Sequence, residues 1–176
     1  YHAQMMLCRN NLATMAQGSL LYANDNEGRL FPYNISTGLW IEPVENYINK
    51  DEVRYCPVTE LIPNTSSMYK WGSSAESWAW FWSGMQESEY GSYAFNSWFY
   101  SSVNFPSDPG YFNNLANVQQ AEITPLFADG GWLDFAPSDT DYVPADFNLS
   151  GNPNYGGHMS RILVDRHFDR INVSFA

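Results

Sequence analysis

Cys8, Cys56 and His167 have the widest chemical reach of any side chains in this sequence. A thiol and an imidazole can serve as nucleophile and base. Catalysis would need an orienting third group at a fixed spacing, and none is legible. No Gly-x-Ser-x-Gly elbow occurs, and His2 and His158 stand in no pattern with a nucleophile. His167 therefore reads as a turn residue that hydrogen-bonds its own hairpin. The chain reads as non-catalytic, with no cofactor required. Two cysteines are too few for a disulfide framework and lack zinc-ligand spacing. In an exported protein Cys8 and Cys56 can form one bridge; the alternative is two separate buried thiols.

Two further groups of residues suit binding. Asp129, Asp134, Asp139 and Asp141, with Asp146 beyond them, crowd one loop-rich stretch. Calcium takes several carboxylate and carbonyl oxygens on flexible backbone, so the first four are a candidate calcium site. EF-hand spacing is absent, and solvated loop acids are the alternative. Trp71, Trp78, Trp80 and Trp82 form the second group, followed by Tyr90. Such rings can fill a core beneath a long loop, enrich a protein interface, or stack on sugar rings. Trp78, Trp80 and Trp82 alternate, so an extended chain would put them on one face.

Composition narrows the partners. The chain has 176 residues, 44% hydrophobic and 17% aromatic, enough for one buried core and too apolar for disorder. Only 15% are charged, leaving a surface of Ser, Asn, Gln and Tyr, a profile common in exported proteins. Eight basic against 19 acidic residues give a net charge of −11. That charge repels phosphate backbones and anionic headgroups, which argues against nucleic acid. No apolar run is long enough to span a bilayer.

The elements that must position these residues are legible in part. Met5, Cys8, Leu12, Met15, Ser19 and Tyr22 recur at helical spacing, and Gly28 suits a left-handed stop. No capping residue precedes this pattern, so the helix is expected to be the end of a longer one. Residues 40–48 read as a short helix, and 53–56 as a short strand or extended piece. Residues 64–91 read as a long insertion with little regular structure. Residues 92–99 and 123–128 read as strands, and 132–155 as a loop. Residues 161–166 and 171–175 read as a hairpin turning at 167–170. The expected fold is α+β: one domain over 1–176, with 1–24 a helix packed on a small antiparallel sheet with long loops, and 25–176 a globular head.

Several short motifs appear in a telling order. Cys8-Arg9-Asn10-Asn11-Leu12 is followed by Tyr22-Ala23-Asn24-Asp25-Asn26-Glu27-Gly28-Arg29-Leu30-Phe31-Pro32. Then come Arg54-Tyr55-Cys56-Pro57, Ser92-Tyr93-Ala94-Phe95-Asn96 and Leu126-Phe127-Ala128-Asp129-Gly130. This series resembles bacterial prepilin-type, pseudopilin-like proteins. One subfamily carries a His, nine residues, then Asp-Gly; here nine residues follow His167 and the chain stops where Asp-Gly would stand.

The resemblance implies a type IV pilin-like fold and an inner-membrane anchor formed by a helix upstream of Tyr1. It also implies prepilin-peptidase processing and N-terminal methylation. The head would lie in the periplasm or outside the cell. Its partners would be other pilin-like subunits and the assembly machinery of a type II secretion-like or type IV pilus-like filament. Major pseudopilins of this kind use a calcium site in a C-terminal loop. From another class, the alternative is a cell-surface module that binds polysaccharide through the aromatic loop.

Overall fold

The opening segment folds as its periodicity predicts. Helix α1, His2–Asp25, buries Cys8, Leu12, Met15 and Ser19 along one stripe. It ends where the carbonyl of Ala23 accepts from the N–H groups of Asn26 (3.1 Å) and Gly28 (2.8 Å). Gly28 sits at φ +81°, the left-handed conformation that a side chain would oppose. The computed structural model describes residues 2–48, 50–61, 69–82, 84–101, 111–148, 151–152, 154, 157–162, 165–167 and 170–176.

Helix α2, Ile41–Ile48, packs across α1 with Ile41 and Val44 buried. Six short strands follow: β1 (Trp78–Trp80), β2 (Glu89–Gly91), β3 (Tyr93–Asn96), β4 (Pro125–Asp129), β5 (Asp134–Phe135) and β6 (Val173–Phe175). Strands β1 and β2 make a two-stranded antiparallel ladder. The other four form a mixed sheet in the order β5-β3-β4-β6, with β5 parallel to β3. The α+β class is thus as expected, with α1 lying against β4 and β6.

Four expectations about elements are corrected, besides the strand expected at 92–99, which is cut short by a 3-10 helix at Ser97–Phe99. Residues 53 and 54 are not strand: Asp51–Arg54 is a 3-10 turn, and Tyr55 is the first extended residue. The turn brings Arg54 inward, where it pairs with Glu45 (2.8 Å) and Glu89 (2.5 Å). The stretch 64–91 contains the β1–β2 ladder, although 62–68 and 83 lie outside the described residues. The ladder closes because Gly91, opposite Trp78, leaves room for the indole to lie across it. Third, residues 132–155 are not all loop, since they include β5. Fourth, the described residues of 161–166 form no strand and do not pair with 171–175. Gly157–Arg161 is a 3-10 helix, and β6 pairs with β4 instead. Residues 163, 164, 168 and 169, the last two the middle of the expected turn, lie outside the described residues.

The core is dominated by rings. Phe95 stands at its centre, with ring centroids 5.3 Å from Phe31, 5.0 Å from Tyr100 and 5.2 Å from Phe127. Buried indoles meet their hydrogen-bond need on backbone: Trp40 donates to Leu133 O (2.7 Å) and Trp78 to Tyr93 O (3.1 Å). Among the described residues, no helix is long and apolar enough to cross a membrane.

Candidate functional site

The buried joint between α1 and the sheet gathers most of the reactive side chains. Cys8 enters from α1, Cys56 from the chain after the 3-10 turn, Asp129 from the end of β4, and His167 from the C-terminal segment. The two sulfurs lie 2.7 Å apart as free thiols, unbridged but in contact. His167 Nε2 lies 3.6 Å from Cys56 Sγ and 3.4 Å from Asp129 Oδ2. Asp129 Oδ2 also accepts from the Asn172 N–H at 2.6 Å. All four side chains are at most 1% exposed.

His167 is therefore not a surface turn residue. It is a core residue with partners that no sequence spacing could show, contributed from 111 and 38 positions away. A thiol, an imidazole and a carboxylate are the parts of a cysteine-nucleophile triad, but the arrangement is wrong for one. A relay needs the thiol on one ring nitrogen and the carboxylate on the other. Here both face Nε2, and Nδ1 is buried without a hydrogen-bond partner.

A metal is tested by the same geometry. Cys8, Cys56 and His167 place their ligand atoms within 4.8 Å of one another, the one such group among the described residues. Two thiolates sharing a tetrahedral zinc at about 2.3 Å would stand roughly 3.8 Å apart. The observed 2.7 Å is too short for that and suits a pair poised to bond.

The proton balance follows from the contacts. Cys8 is pulled below the usual thiol range by its hydrogen bond with Cys56, against burial. Cys56 is pushed up by the same bond and by burial. Burial lowers the pKa of His167, but the contacts with Asp129 and Cys56 outweigh it and lift the imidazole to about 9.

That shift has a sign. A histidine near 6.5 when unfolded and near 9 when folded adds stability below pH 6.5 and loses it as pH rises through 9. Reduced protein is thus expected to lose up to about 3 kcal/mol between those pH values. Urea unfolding at pH 6, 7.5 and 9 checks this. His167→Gln should flatten the decline; an unchanged slope would assign the titration to another group.

The four aspartates of the expected calcium site do not converge. Asp129 is taken up by His167 and Asn172. Asp134, buried on the edge strand β5, accepts from Arg161 at 2.7 Å. Asp139 is exposed, and Asp141 closes a local turn by accepting from Ser138 N and Oγ at 3.3 Å. Asp146, further on, likewise holds only its own turn, accepting from Asn148 N at 2.8 Å. β4 and β5 run in different places in the sheet, so neighbours in sequence are drawn to separate partners.

The tryptophans divide as well. Trp78 and Trp80 are buried, at 0% and 5% exposure, while Trp82 is 48% exposed. Trp71 stacks on Trp132 at 4.0 Å and carries Arg161 over its face at 5.4 Å. Trp80, Trp82, Tyr100, Trp132, Asp134 and Arg161 line one cavity of about 470 Å³; sequence reading singled out Trp80, Trp82 and Asp134, the last for a different role.

Helix α1 shows a second surface. Met6, Leu7, Leu20 and Leu21 lie on the side away from the sheet and are 45–55% exposed. Arg9 and Asp25 are the helix's only Asp, Glu, Lys or Arg residues. Comparison with protein-family models, with curated proteins and with solved structures returns no match for this chain.

Proposed function

We propose that this chain is the head and lower helix of a non-catalytic, pilin-like filament subunit, held in a bacterial inner membrane by a helix continuing upstream of α1. The observation that carries the reading is the two-sidedness of α1. One stripe is buried on the head, and the opposite side presents Met6, Leu7, Leu20 and Leu21. A helix serving only its own sheet carries charge on its outer face. This one carries apolar side chains interspersed with the neutral amides of Asn10 and Gln17. Such a face suits packing against the same helix in neighbouring copies. The ordered motifs from Cys8 to His167 point the same way. The reading places the head in the periplasm or outside the cell, with its partners among like subunits and their assembly machinery.

The double substitution Leu20→Glu, Leu21→Glu in the full-length gene product is the test. Filaments recovered by shearing are expected to disappear. Both side chains are exposed, so the unfolding free energy of the isolated chain should move by less than about 0.5 kcal/mol. Normal filaments from the double variant, or a full-length product that never associates with membrane, would defeat the proposal.

A further inference from the structure

The cavity beside β5 has the makings of a ligand site. Its volume of about 470 Å³ falls in the range of small-molecule pockets. Trp82 and Tyr69, which are 48% and 57% exposed, present rings at its rim. Trp132 lies deeper, with its ring 4.8 Å from that of Tyr69. Aromatic walls of this kind reward a ligand with flat C–H faces.

The polar groups say what else the ligand needs. Tyr100 is fully buried, yet its hydroxyl has no hydrogen-bond partner. Arg161 Nε, in a side chain 13% exposed, has none either. A buried polar group left unsatisfied costs stability, and natural proteins keep few of them without a use. Here two lie among the residues lining one cavity.

The charge balance excludes an ionic ligand. Asp134 and Arg161 pair at 2.7 Å and cancel. Burial raises the Asp134 carboxyl and lowers the Arg161 guanidinium, each against the pull of the other. His158, which also lines the cavity, accepts from the Ala136 N–H through Nδ1 at 2.9 Å. Burial and Arg161 hold its pKa down to about 4, so it is neutral near pH 7. A neutral ligand is left, with apolar faces and adjacent hydroxyls. A carboxylate and a guanidinium side by side offer an acceptor and donors at neighbouring positions, as vicinal hydroxyls require.

We infer that this cavity binds a neutral glycan, a short oligosaccharide with one ring between Trp82 and Tyr69 and its hydroxyls on Tyr100, Asp134 and Arg161. A proline-rich peptide also favours aromatic walls, but it docks along an extended groove, whereas this is a compact cavity with a buried ion pair. The inference stands apart from filament assembly and survives its failure.

Calorimetric titration of the 176-residue chain tests it. The probes are cellobiose, maltose and diacetylchitobiose, with digalacturonate and a proline-rich decapeptide for contrast. At least one neutral disaccharide is expected to bind and to change tryptophan fluorescence, while digalacturonate does not. Trp82→Ala should weaken that binding about tenfold. Tyr100→Phe deletes only the orphan hydroxyl, so it should weaken binding several-fold while leaving the melting temperature unchanged or higher. No heat from any neutral sugar at about 10 mM overturns the inference. So does binding that both variants leave intact, or tighter binding of the decapeptide.

Discussion

Arg166→Met is expected to lower the unfolding free energy by about 4 kcal/mol, the cost of removing a donor set from a fully enclosed polar site. Arg166 is 5% exposed. Its guanidinium donates to Ser73 O from Nε (3.1 Å) and Nη2 (2.8 Å), to Gly130 O (2.8 Å), and to Ser92 O from Nη1. A longer contact reaches Glu76 O at 3.4 Å. These carbonyls belong to the chain before β1, the residue before β3 and the residue after β4. One side chain therefore ties the two-stranded ladder to the four-stranded sheet. Methionine keeps the stem's packing but takes the donors from Ser73 O and Gly130 O, while Ser92 O and Glu76 O keep the N–H groups of Gly130 (2.9 Å) and Ser73 (3.0 Å). Arg166→Lys should recover less than half of the loss, because one ammonium cannot span the fork. Urea unfolding measures both variants. If Arg166→Met stays within about 1 kcal/mol of the parent, the carbonyls have found other partners and the role is wrong.

Oxidation of the Cys8–Cys56 pair is expected to stabilise the chain by about 4 kcal/mol, through the entropy removed from the unfolded state. The cysteines are 48 positions apart and their sulfurs are already in contact at 2.7 Å, so closing the bond needs little rearrangement. For a chain of this size the gain corresponds to roughly 10 °C in melting temperature. Protein recovered from an oxidising compartment should show no reactive thiol in denaturant, and reductant should lower its melting temperature by that amount. Two free thiols per chain, or a melting temperature indifferent to reductant, would refute the bridge. The bond would fasten α1 to the head at mid-helix, so a pull on the helix would be carried into the sheet.

The parts of the fold legible in sequence were those with local causes. α1 announced itself by the spacing of Cys8, Leu12, Met15 and Ser19, and its end by Gly28. β3 and β4 fall where alternation and a compact apolar run placed strands, at 92–99 and 123–128, although Ser97–Phe99 and Ile123 are 3-10 helix. The β1–β2 ladder was hidden because all three residues of β1 are buried, so alternation carried no information about a solvent face. The segment 161–166 looked like a strand because it is apolar. The expected partner, 171–175, instead supplies β6, which pairs with β4, and nothing within either segment encodes that choice.

The candidate sites divide along the same line. Residue types alone determined that this chain has two thiols, a net charge of −11, and an opening helix with an apolar stripe. Only the tertiary structure decided that His167 meets Cys56 and Asp129, that Arg166 holds three segments together, and that Tyr100, Asp134 and Arg161 share a cavity with Trp82. The physical reason is range. Helical periodicity and turn chemistry act over a few residues, while burial brings together side chains a hundred positions apart, and what such groups do depends on what they meet.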